Sequence, residues 1–296
     1  MSAPPQLALG SKLSAQSSQL YCHRLTQRSR SSFRFAFRTL PRAKRDGMAA
    51  LYAYMRATDD VADAETPPDA KRAALAAWRV RLWAALEGNY SHRLHAALHH
   101  TVRVFDIPAE YLFEVITGCE TDLEPVRLEC FDELRTYCHR VASVVGLSCV
   151  RIWGLTPGAT FAEAYPPATA AGYAFQLTNV LRDLKEDFAC GRVYLPADEL
   201  ARFDCPPESW PERGENFHAM MRFQYERAEG YFREAEALGP LLSRDGRRIY
   251  RLMCAAYRQL LGRIVAADYD VFTNRVRLSR WAKLKLAARA VLPGLA

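Results

Sequence analysis

From residue 42 onward apolar side chains recur at spacings of three and four, the repeat of one helical face, and the interruptions fall at prolines. Pro41 fits the first turn of a helix with Thr39 as its cap, and the pattern runs through MAALYAYMRATDDVADAE until Pro67 and Pro68 end it. Further helices are predicted over 69–87, 92–105, 108–123, 130–153, 168–189, 212–238 and 245–270, with breaks or starts at Pro108, Pro125, Pro157, Pro166 and Pro206. No alternating strand series and no G-x-G-x-x-G occurs, so the chain reads as all-α and a nicotinamide-binding Rossmann domain is excluded.

Two of these helices carry the same polar pattern. In YAFQLTNVLRDLKEDFACGRVYLP, Asn179, Asp183 and Asp187 recur every four residues, which keeps them on one face and spreads them over ~12 Å at about 1.5 Å per residue. Oxygen donors laddered in this way suit hard divalent cations. Gln176 precedes the ladder, Arg182 lies beside it, and Arg192 and Tyr194 follow its end, a surface suited to a phosphate ester and its metal ions. On the earlier helix Asp59 and Asp63 are one turn apart, Asp60 is adjacent, and Arg56 lies one turn before Asp60. Either ladder alone has the spacing of a solvated, salt-bridged face. Together they suggest a cavity holding several cations and a diphosphate, with Tyr52, Tyr54, Tyr173 and Phe175 as apolar walls.

Composition narrows the partners. The 296 residues carry a formal net charge of +7, which favours anionic ligands. A basic band from Tyr21 to Arg45 with Phe33, Phe35 and Phe37 interleaved lacks any RNP-like or zinc-finger organisation, so nucleic acid is not an expected partner. The eight cysteines form no C-x-x-C pair and read as reduced core thiols of a cytoplasmic protein. Histidines 92, 95, 99 and 100 are expected on a solvated helix face, and Glu215 to His218 is the only E-x-x-H, where a di-iron bundle needs two. Residues 1–20 read as a disordered leader, and no run reaches the ~20 apolar residues that span a bilayer. Residues 275–295 alternate basic and apolar side chains around Trp281, which makes peripheral membrane contact a further expectation.

These motifs resemble the squalene/phytoene synthase family of head-to-head prenyl transferases. The resemblance rests on Ser31–Phe33, on LPRAKRDGMAALYAYMRATDDVAD and QLTNVLRDLKEDFACGRVYLP as the two aspartate-rich regions, on YCHRVASVVG, and on the closing AAYRQLLGRIVAADYDVFTNRVRLSRWAKLKLA. It covers residues 21 to 296, and implies one all-α catalytic domain whose acids face each other across a central cavity. On that resemblance Asp59, Asp60 and Asp63 bind Mg²⁺ on one side and Asn179, Asp183 and Asp187 on the other, with Mn²⁺ as a substitute. Arg56, Gln176, Arg182, Arg192 and Tyr257 contact diphosphate or orient the reacting carbons, and Ser32, Phe33 and Tyr52 line the first-diphosphate end. Two departures stand out. Thr117 replaces an acid common in the family, so any role of that acid is absent or passes to Glu120 or Asp122; Ser143 replaces a glycine and is expected to narrow the hydrocarbon cavity.

The implied reaction is ionisation of one prenyl diphosphate, attack by the double bond of a second, and proton loss to a cyclopropane, with NADPH not required for this step. Phe33, Tyr52, Phe175 and Tyr257 are candidate ring faces for the allylic cation. The tract DDVADAE is closer to the hopanoid-pathway branch, so the expected substrate is farnesyl diphosphate and the product presqualene diphosphate. A phytoene synthase acting on geranylgeranyl diphosphate is the alternative. A non-catalytic lipid-binding or assembly-factor relative is a second class, set against the presence of every ladder acid.

Overall fold

The computed structural model describes residues 15–28, 37, 39–273 and 275–277. Ser32, Phe33 and the basic amphipathic segment beyond residue 277 lie outside the described residues. Among those described no strand forms, only isolated bridges between Arg127 and Val193 and between Leu155 and Leu242. The helices are α1 (Ala15–Arg28), α2 (Arg42–Ala62), α3 (Pro68–Leu86), α4 (His95–Val104), α5 (Ala109–Thr121), α6 (Phe131–Cys138), α7 (Val144–Trp153), α8 (Phe161–Arg182), α9 (Leu184–Ala189), α10 (Ala197–Arg202), α11 (Glu215–Ala235), α12 (Leu238–Leu241) and α13 (Arg244–Ala266). A π-helical turn, His139–Ser143, joins α6 to α7, and a 3₁₀ turn, Pro207–Glu212, precedes α11.

Several expected boundaries move for physical reasons. Helix α8 begins at Phe161, ahead of Pro166, because Thr160 and Glu163 form a reciprocal capping box, and the chain stays helical through Pro166 and Pro167. Helix α2 is preceded by Pro41 at the N-cap position, with extended backbone at φ −51° and ψ 150°. The leader boundary at residue 20 falls inside α1, where Ser18 is buried and its hydroxyl accepts from the Ala97 amide. His95 is fully buried rather than solvated. Its Nδ1 accepts from the amides of Ser91 and His92 at the start of α4, and its ring packs 5.5 Å from Trp78. All eight cysteines are unpaired.

Burial divides into two apolar bodies. One gathers α2, α3, α4, α5, α7 and the first half of α8 around Leu51, Leu75, Leu98, Ile116 and Ile152. The other gathers the second half of α8 with α11 and the end of α13 around Leu177, Leu181, Phe217, Met221 and Leu261. Phe175 and Tyr231 pack against both. The root of α2 is tied to the rest by Lys44, whose ammonium donates to the Trp153 carbonyl at 2.5 Å and to Ser243 Oγ at 3.2 Å and pairs with Asp245 Oδ2 at 2.9 Å. One ion thereby fixes the starts of α2 and α13 at the end of α7. No helix among the described residues is long and apolar enough to cross a membrane.

Candidate active site

The first ladder ends α2. Asp59 and Asp63 are one turn apart, with the Asp63 amide donating to the Asp59 carbonyl at 2.8 Å. Asp59 is exposed at the surface of the site, yet desolvation by the groups packed around it and the neighbouring Asp63 push its carboxyl up to about 6. Asp60 is held instead by Arg56, Nη2 to Oδ1 at 2.5 Å, so this i,i+4 pair occupies an outer part of the rim. Tyr52 is half-buried on the same helix. Tyr54 is fully buried, stacked on Trp78 at 6.3 Å and donating to the Leu112 carbonyl, so it belongs to the core and not to a chamber wall.

The second ladder is not one continuous helix. Helix α8 ends at Arg182, Asp183 is the junction with φ −103° and ψ 15°, and α9 follows. The Asp183 amide still donates to Asn179 and the Asp187 amide to Asp183, so the four-residue spacing survives the junction. Asn179 Nδ2 donates to Gln176 Oε1 at 3.3 Å. Desolvation and the nearby Asp183 push Asp187 up to about 6. Asp183 is different: Arg182 Nε donates to its Oδ1 at 2.8 Å, Arg182 Nη2 reaches Oδ2, and Arg275 Nη2 reaches Oδ1 at 2.7 Å.

Asp122 connects the ladders. Its carboxylate accepts from Tyr194 at 2.6 Å and Tyr137 at 3.1 Å, whose rings stack at 4.6 Å, and burial lifts its pKa despite those hydrogen bonds. It lies within electrostatic reach of Asp59 and Asp63 on one side and Asp187 on the other, and Arg192 stands beside it and Tyr194. Glu120 is taken up by Arg79 at 2.9 Å, and the same guanidinium donates to Thr117. Of the two acids left as replacements at Thr117, Asp122 therefore occupies the site and Glu120 does not.

Beside Asn179 of the second ladder lies a cavity of about 190 Å³. Phe175, Gln176, Asn179 and Tyr257 form the end nearest the ladder, with Phe175 and Tyr257 stacked at 4.4 Å. Ala168, Trp153, Leu238 and Tyr250 line the far end, so the cavity follows α8 for eleven residues, about 16 Å at ~1.5 Å per residue. Gly172 sits between the two ends and packs on the π-helical turn: a Cβ there would meet Ser143 Cα and Oγ at 2.5 Å. Ser143 is fully buried in that contact, donates to the Thr169 carbonyl, and does not line the cavity, so it does not narrow the space as expected. Tyr173 turns away to Tyr231 at 5.1 Å.

Of the expected site residues, Phe175, Gln176, Asn179 and Tyr257 line this cavity, and the ladder acids lie outside its lining. The ladder donors are carboxylate and amide oxygens, the donor type that hard divalent cations take. Among the described residues no three acidic, histidine or cysteine side chains yet gather around one point. Desolvation, with a neighbouring acid, raises Asp59 and Asp187, and Arg56 and Arg192 offset the rise only in part, an environment that a bound divalent cation would relieve. Arg275 escaped the sequence reading because it is separated from Asp183 by 92 positions, and no spacing rule links them.

The squalene/phytoene synthase family model matches residues 26–282. The 15-cis-phytoene synthase of Synechococcus elongatus is 34% identical over 273 residues, covering 89% of each chain. Phytoene synthase 1 of Solanum lycopersicum is 38% identical over 245 residues, 81% of this chain and 60% of that longer protein. Among solved structures, a dehydrosqualene synthase in complex with ligand superposes with a TM-score of 0.83 at 28% identity, covering 94% of this chain and 96% of that one. The squalene synthase HpnC of Alicyclobacillus acidocaldarius, 24% identical over 88% of this chain and 97% of its own, shares the fold with a TM-score of 0.78. With a family match over residues 26–282 and a relative 34% identical over 89% of each chain, the chain belongs to the squalene/phytoene synthase family, prenyltransferase-type enzymes that join prenyl diphosphates head to head.

Proposed function

We propose that the chain condenses two geranylgeranyl diphosphates to phytoene. The observation that carries this reading is the likeness, over nine-tenths of both chains, to a protein named 15-cis-phytoene synthase. The farnesyl reading drawn from DDVADAE has weaker support, because that tract lies at the diphosphate end and does not measure the distance to the cavity floor. Overall, two C₂₀ diphosphates give one C₄₀ hydrocarbon, two diphosphates and two protons. No net oxidation or reduction occurs, so no NADPH enters the balance.

Asp59 and Asp63 on one side, with Asp60 beside them, and Asn179, Asp183 and Asp187 on the other would hold Mg²⁺, with Mn²⁺ as a substitute. Bound there, the metal neutralises the diphosphate and makes it a better leaving group. Arg182 and Arg192 add fixed positive charge at the same end, while Arg56 is engaged by Asp60 until substrate competes for it. The stacked Phe175 and Tyr257 rings offer π-faces to an allylic cation, and the apolar walls keep water from capturing it. Asp122 fixes the Tyr137 and Tyr194 hydroxyls where the ladders meet, which makes these phenols candidate proton acceptors.

The test is incubation of the purified protein with Mg²⁺ and either geranylgeranyl or farnesyl diphosphate, without NADPH, and identification of the extracted lipid by mass. Phytoene from the longer substrate supports the reading. Presqualene diphosphate from farnesyl diphosphate with no C₄₀ product would overturn it.

A further inference from the structure

Asp183 is the least available acid of either ladder. Both of its oxygens are engaged, by Arg182 from the preceding residue and by Arg275 from the segment after α13. Arg275 also reaches Glu186 Oε1 at 3.5 Å, and the other carboxylate oxygen of Glu186 is buried with no hydrogen-bond partner. Two acids of the second ladder helix thus share one guanidinium, and one oxygen is left unsatisfied. The backbone around Arg275 is pinned. Val276 is buried in the second apolar body, Arg263 Nη1 donates to the Arg277 carbonyl at 2.8 Å, and Lys185 Nζ donates to the Phe272 carbonyl at 2.6 Å. The side chain, 40% exposed at the ladder's edge, is the part that can exchange partners.

We infer that Arg275 is a stand-in cation: it keeps Asp183 closed to divalent ions until a diphosphate arrives to take the guanidinium, so the second ladder loads its metal together with diphosphate. The inference rests on the ladders being a metal and diphosphate site. A guanidinium prefers the doubly ionised oxygens of a diphosphate to a carboxylate it must share, because both offer forked acceptors but the diphosphate carries more charge. Moving it takes one of the two guanidinium groups off Asp183 Oδ1, leaving that oxygen with the Arg182 Nε bond and a lone pair for a metal, and releases Glu186 Oε1 in the same step. Arg182 stays on Asp183 as its local counter-ion.

The test is binding of Mn²⁺, counted by the electron paramagnetic resonance signal of the free ion, with and without inorganic diphosphate, to the full chain and to Arg275→Gln. The wild-type chain is expected to gain bound Mn²⁺ when diphosphate is added, after correction for Mn²⁺ held by diphosphate in a protein-free control. Arg275→Gln is expected to bind the additional ion without diphosphate, about tenfold more tightly than the wild type, the scale of one charge-assisted hydrogen-bonded contact. Adding Asp183→Asn to Arg275→Gln should remove that ion, which assigns it to the second ladder; circular dichroism checks that each variant is folded. Equal Mn²⁺ affinity of wild type and Arg275→Gln without diphosphate overturns the role of Arg275 while leaving the site intact. Absence of Mn²⁺ binding in every case, with diphosphate present, overturns the site and the inference with it.

Discussion

Protonation of His95 should set the acid limit of this fold. The ring is fully buried, and desolvation, with His92 and Arg81 nearby, pushes its pKa down to about 4 from an ordinary ~6.5. Nδ1 accepts two backbone amides, so the proton of the neutral ring resides on Nε2, which has no partner. Because the folded pKa lies below the unfolded one, the unfolded chain binds the proton first. The associated stability is complete above about pH 6.5 and is lost as the pH falls toward 4. With these values the loss is about 2 kcal/mol at pH 5 and about 3 kcal/mol below pH 4. Asp59 and Asp187, raised in the folded state, contribute with the opposite sign, so the slope of the whole protein does not isolate His95. His95→Asn does, because Asn Oδ1 can accept at the Nδ1 position without titrating. Urea unfolding of both proteins at pH 7.5, 6 and 5 and constant ionic strength should show the wild type losing about 2 kcal/mol more than the variant between the extremes. The constant cost of the smaller side chain cancels in that comparison. Identical pH slopes would refute the buried neutral ring.

Three further outcomes follow from the site. Asp187→Asn should abolish turnover yet stabilise the ligand-free protein by about 1 kcal/mol at pH 7, after allowance for solvent screening of a half-exposed group; the gain should vanish below about pH 4, where the acid is neutral in both states, as urea unfolding would show. Ala171→Phe fills the cavity some eight residues, ~12 Å, from Asn179, and should lower turnover of geranylgeranyl diphosphate about tenfold relative to farnesyl diphosphate, measured by product mass in competition. Gly172→Ala drives a methyl into the Ser143 backbone and should cost about 1–3 kcal/mol, roughly 5 °C in Tm by calorimetry; an unchanged Tm would contradict the close approach of α8 to the π-helical turn.

Long amphipathic segments were legible because their apolar spacing had little competition: α3, α5, α11 and α13 start and end within a few residues of where the pattern placed them. Helix α8 began earlier than read because Pro166 was weighed as a start and the T-x-x-E cap at Thr160 was not. The ladders were visible because i and i+4 positions share a face whatever the tertiary fold. What spacing cannot report is which carboxylate is already engaged. Asp60 is tied to Arg56 one turn away, whereas Asp183 is held by an arginine brought in from beyond α13. Asp122 stood in the sequence as one of two substitutes for the acid missing at Thr117, and only packing, by giving Glu120 to Arg79, separated them.

The two apolar bodies bear on how the mouth of the site opens. Asp59 and Asp63 end a helix rooted in the first body, while Asn179 and Asp187 belong to helices packed in the second. Helix α8 passes through both as a shared spine, and Phe175 and Tyr231 are the side chains packed on each. The width between the acids is therefore not set by either body's own packing. It depends on the contacts that join them, Phe175 and Tyr231 packed on both bodies and Asp122 held by Tyr137 and Tyr194, and these set the gap that a diphosphate and its ions would bridge. Amide exchange should accordingly show two protection levels, one for each body, with ligand binding slowing exchange most along the joint.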